Sequence, residues 1–169
     1  MKSAAPPQCR PPILVIGVGN AHRGDDAVGL VIARCLREAT RDAVIIHEIT
    51  DDGLTLIDLW KNALGVIVVD AMQAGAAPGT IYRIDASTQP IPATYHCSST
   101  HAFGVAATIE LGRALQQLPA QVIVYGVEGK DFTPGAALSP EVEHVVNKVV
   151  EQLWEEVDRW RETKEFQRA

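Results

Sequence analysis

Three short runs of branched aliphatic residues, ILVIGV (13–18), GVIVVDA (65–71) and QVIVYGV (121–127), constrain this chain more than any other feature. None alternates polar with apolar residues, so each predicts a strand covered on both faces. Strands of that kind belong to parallel sheets, whose neighbours are joined by crossovers long enough to hold a helix. The intervening sequence supplies them. Val28, Val31, Ile32, Cys35, Leu36 and Ala39 recur at helical spacing and predict a helix from about Asp25, the N-cap, to Ala39. AVIIHEI (43–49) reads as a second strand and LTLIDLWKNA as a helix after it. TIYRID (80–85) alternates, as a half-exposed edge strand does. A Pro- and Ser-containing loop, STQPIPATYHCSS, leads to a helix over about 100–117. The last helix opens on Ser139 as N-cap and Pro140 as first helical residue, and its stripe runs from Val142 to Trp160. The expectation is a three-layer α/β sandwich: a twisted, mostly parallel five-stranded sheet, one antiparallel edge strand, and helices on both faces. Residues 12–169 form its single domain, behind an extended or disordered tail over 1–11.

Charge and cysteine content narrow the function classes. The formal net charge is −6 and no Lys/Arg run occurs, which argues against nucleic acid as a partner. Cys9, Cys35 and Cys97 form no CxxC pair and no even-numbered framework, as expected in a reducing compartment. No apolar run is long enough to span a membrane, and MKSAAPPQCRPP lacks the apolar segment of a signal peptide. Cytoplasmic location is the expectation.

In open parallel sheets, ligands bind beyond the carboxyl ends of the strands. GVGNAHRGDDAVGL (17–30) lies at such an end. Glycine turns that enter helices usually hold phosphate on bare N–H groups. Here there is no lysine for a P-loop, His22 replaces the third small residue of a dinucleotide turn, and Asp25 and Asp26 would repel an anion. A cation suits them better. Acids in a first helical turn also complement the helix dipole, and spacing does not choose between the two.

Asp70 closes a run of buried aliphatics, where an uncompensated carboxylate is costly. Capping the next turn is its plain reading; a ligand in the crevice is the sharper one. His101, in SSTHAFG, stands at another helix mouth. Two carboxylates and an imidazole make an open three-ligand site suited to nickel, zinc or iron. His96, Cys97 and His101 form a rival cluster whose spacing matches no standard zinc pattern, and local packing is the simpler account of His96 and Cys97. A Cys97–His pair ranks low as a nucleophile, and no GxSxG elbow occurs. His22 can face the crevice, whereas His47 and His144 read as structural. Glu128 and Asp131, after the last strand, read as a solvated loop.

Taken in order, ILVIGVGNAHRGDDAVGL, VIVVDAMQAGAAPGTIYRID, SSTHAFG and YGVEGKDFTPGAALSPEV resemble the nickel–iron hydrogenase maturation endopeptidases over nearly the whole chain. The resemblance implies an α/β sheet between helices. It also implies removal of a C-terminal extension from the hydrogenase large-subunit precursor, with nickel already inserted there as the recognition signal. It places the family's metal-contacting residues on Asp26, Asp70 and His101. Two departures stand out. Many relatives carry Glu where Asp26 stands, one methylene longer. The family's DGG-Thr loop, linked to substrate recognition, reads Asp51-Asp52-Gly53-Leu54-Thr55 here, so a glycine is replaced by Asp52. Gly19 and Asn20 of the glycine turn, with Asp51, Asp52 and Gly53, are the expected substrate contacts. The rivals are a non-enzymatic nickel-binding chaperone and a peptidyl-tRNA hydrolase-like enzyme, the latter disfavoured by the acidic charge.

Overall fold

A computed structural model describes residues 12–39, 44–50, 54–92, 96–97 and 104–163. In chain order the elements are β1 (Ile13–Val18), α1 (Val28–Glu38), β2 (Val44–Ile49), α2 (Thr55–Trp60), β3 (Gly65–Gln73), β4 (Ile81–Asp85), β5 (His96–Cys97), α3 (Val105–Ala114), β6 (Gln121–Glu128) and α4 (Pro140–Glu162). The main path of the sheet runs β2-β1-β3-β6-β4. β1, β2, β3 and β6 are mutually parallel and β4 pairs antiparallel with β6 at the edge, as expected. One strand was not anticipated: β5, in the stretch read as loop, pairs antiparallel with Met72–Gln73 at the end of β3.

Alternation along each strand divides the core in two. Ile13, Val15, Ile67, Val69, Ile123 and Tyr125 point to one face and pack against α1 and α4. Leu14, Ile16, Val66, Val68, Val122 and Val124 point to the other, against α2 and α3. The three runs of aliphatics are continuous because both faces are covered.

Where α1 crosses the sheet, glycine is a spatial requirement. A Cβ on Gly29 would overlap the carbonyl oxygens of Val18 and Val69, and one on Gly17 would overlap that of Gly29. The start of α1 therefore lies directly on the end of β1 and on β3 at Val69. That contact sets the geometry of the candidate site.

Candidate functional site

Asp70 does not end its strand. β3 continues to Gln73, paired with β6 as far as Met72–Glu128. What ends beside it is β1, whose register with β3 stops at Gly17–Val69. Asp70 thus occupies the first β3 position past the point where the neighbouring strand turns away. The crossovers leave in opposite directions here, β1 toward β2 and β3 toward β6, so this is the topological switch point of the sheet. The Asp70 side chain is fully buried, and its Oδ1 accepts the Ala71 N–H at 2.8 Å.

The glycine turn leaves β1 at this step. The helix expected from Asp25 begins instead with a 3-10 turn, Gly24–Ala27, followed by α1 from Val28. Arg23 occupies the cap position and makes no side-chain capping bond. The 3-10 turn packs against β3. Both of its acids are fully buried, but they have separate surroundings. Asp26 has the Arg23 guanidinium 4.0 Å from its Oδ2, and its carbonyl accepts the Asn20 N–H at 3.2 Å.

Asp25 accepts backbone N–H bonds, as an N-cap would, but from another part of the chain. Its Oδ1 accepts the Ser139 N–H at 2.6 Å. Its Oδ2 accepts the N–H groups of Lys130 and Asp131 at 2.7 and 2.9 Å and the Ser139 hydroxyl at 2.9 Å. Four donors occupy this carboxylate. Ser139 does precede α4, yet its hydroxyl caps no helix N–H and instead donates to Asp25. The two adjacent acids, alike in type and burial, thus differ in what surrounds them: the 130–139 loop for Asp25 and Arg23 for Asp26.

Gly19 and Asn20 lie at the same step, with their N–H groups donated to the carbonyls of Ile49 and Asp26. The Asn20 side chain accepts the His22 N–H at 2.9 Å. His22 itself is exposed. His101, Asp51, Asp52 and Gly53, expected as the third ligand and as substrate contacts, lie outside the described residues. The chain enters the stretch holding His101 from β5, beside the end of β3, and leaves it at Gly104, which caps α3. Among the described residues no group of three or more His, Cys, Asp and Glu gathers as a metal site.

One expectation fails outright. Glu128 is no solvated loop residue. It ends β6 with 4% exposure and receives N–H bonds from Ala74 and Gly75 and a hydroxyl bond from Tyr82. The signal was present, because Glu128 closes an apolar run just as Asp70 does. Asp131 is exposed, as expected, and hydrogen bonds from Thr133 hold its carboxyl below the usual range. A groove of about 470 Å³ lies elsewhere, between β4 and α4, lined by Arg83, Tyr125, Lys148 and Arg159 among others. It shares no residue with the Asp26–Asp70 step, and two of its cations are already paired with Glu156.

Comparison with known proteins agrees with this fold. The sequence profile described as hydrogenase maturation protease matches residues 32–156. The hydrogenase 2 maturation protease of Escherichia coli is 30% identical over 145 residues, covering 83% of this chain and 87% of that protein. The hydrogenase expression/formation protein HupD of Thiocapsa roseopersicina is 25% identical over 148 residues, 86% of this chain and 67% of that one. The solved structure of the hydrogenase-maturating endopeptidase HybD from E. coli superposes with a TM-score of 0.72 at 28% identity, over 90% of this chain and 94% of its own.

Proposed function

The chain belongs to the hydrogenase maturation proteases, and on that premise we propose that it cuts the C-terminal extension from a nickel–iron hydrogenase large-subunit precursor after nickel insertion. In this reading nickel arrives as part of the substrate. Asp26, Asp70 and His101 complete its coordination, and the ion tells the enzyme that the precursor is ready. The cytoplasm, where such a precursor would be assembled, is the proposed location. Among the described residues no helix is long and apolar enough to cross a membrane.

The observation that carries the proposal is that two residues with fully buried carboxyl groups, Asp26 and Asp70, lie on segments that touch at the switch point of the sheet. Burying carboxyl groups is costly, and a divalent cation bound by both would offset that cost. Carboxylate oxygens with an imidazole nitrogen form a donor set that nickel accepts. The bound ion supplies polarisation of the scissile carbonyl or of an attacking water. The protein supplies the fixed acids, and a carboxylate beside the peptide can also take a proton from that water.

Mass spectrometry of a co-expressed precursor tests the proposal. The wild-type protein should shorten the precursor only when nickel is supplied, and Asp26→Ala, Asp70→Ala and His101→Ala should each leave it full length. Cleavage without nickel would remove the recognition role. Tight nickel binding with no truncation by any form would favour a non-enzymatic chaperone instead.

A further inference from the structure

The glycine turn is fastened to a loop more than a hundred residues later in the chain. Besides the four bonds to the Asp25 carboxylate, the Asp25 N–H donates to the Asp131 carbonyl at 2.8 Å. The Gly24 N–H donates to Ala136 at 3.2 Å, and the Gly135 N–H to His22 at 2.8 Å. Gly24 adopts φ 54°, and a Cβ there would overlap the Asp131 carbonyl oxygen. The two segments are therefore apposed backbone to backbone, with a buried charge at their centre. Such a charge is retained only when well satisfied, and here both oxygens accept bonds.

We infer that Asp25 is a positioning residue: by clasping the 130–139 loop it fixes the 3-10 turn and so aims Asp26 into the site. The inference rests on the reading of Asp26 as a nickel-contacting acid. The 3-10 turn has only four residues and no side-chain cap of its own, so local structure does little to fix its pitch. Asp25 and Asp26 are consecutive in that turn. A rotation that releases one necessarily re-aims the other. The cost of such a release falls on the reacting geometry, where a misplacement of about 1 Å is worth about 100-fold in rate.

Asp25→Asn keeps the shape but turns an NH2 group toward N–H donors. Steady-state cleavage of nickel-loaded precursor, measured well below the melting temperature, should show kcat lowered by about 10- to 100-fold, with KM raised where the nickel contact made by Asp26 is weakened. Val149→Ala, at a fully buried core position on α4, serves as a destabilised control and should retain its kcat. Ser139→Ala removes one of the four bonds and should lower kcat by a smaller factor. It decides alone if Asp25→Asn does not accumulate as folded protein. Wild-type kcat in the folded variants, or an equal loss in Val149→Ala, overturns the inference while Asp26→Ala stays inactive. An active Asp26→Ala overturns the site reading itself, and this inference with it.

Discussion

Gly29 shows how one missing methyl can place a site. The α1 backbone lies against the carbonyls of Val18 and Val69 because nothing projects between them. Val69 lies in a strand paired on both sides and Val18 is paired with β2, so the neighbours have little room to give. Gly29→Ala should therefore destabilise the protein by about 1–3 kcal/mol, seen as a lower urea midpoint at constant m-value. A midpoint equal to wild type would show that the helix can lift without cost. The same scale marks the limit of sequence reading at this site. Asp25 and Asp26 are adjacent, identical in type and equally buried, so no local rule separates them. Their difference lies in Lys130, Asp131 and Ser139, whose approach is a property of the fold.

At the scale of elements, the ends of β3 and β6 are held by a second buried carboxylate. Glu128 accepts the Ala74 N–H on both oxygens, at 3.1 and 2.9 Å, and the Gly75 N–H at 2.8 Å. It thereby fixes the loop that follows the Asp70 strand. Glu128→Gln leaves one oxygen for three donors and should cost about 1–3 kcal/mol locally. Hydrogen exchange at Ala74 and Gly75 should speed up by at least about tenfold, with the amides of β1 unchanged. Unaltered exchange at both positions would remove the tether. The long elements were legible because their burial repeats at a fixed period: the aliphatic runs of β1, β3 and β6 and the stripe of α4 fall where the pattern puts them. The 3-10 turn and β5 were not. They are four and two residues long, shorter than any period can register, and are held by distant segments, the turn by the 130–139 loop and β5 by β3.

For the whole molecule, one buried acid joins the last helix to the far edge of the sheet. Glu156 on α4 is 1% exposed and takes a bidentate pair from Arg83 on β4, at 2.8 and 2.9 Å, with Arg159 at 3.0 Å. Burial works to raise its pKa, but Arg83 and then Arg159 outweigh burial, so the carboxyl is held below the usual glutamate range. A depressed folded-state pKa contributes stability that is fully present above the unfolded value, about 4.3, and is lost as the pH falls through the folded value. The arginine side chains are 41% and 59% exposed, so solvent screening keeps the contribution small. Glu48 has the same sign, because Arg37 and Arg34 overcome its burial, so acid unfolding of the wild type alone would mix the two. Comparison with Glu156→Gln isolates the inner pair. Urea midpoints of the two proteins should differ by a constant amount from neutral pH down to about 5, and the gap should close as the pH is taken below about 4. A gap that stays constant to the lowest folded pH would mean that Glu156 keeps the same proton in folded and unfolded chains, and that packing rather than charge ties α4 to β4.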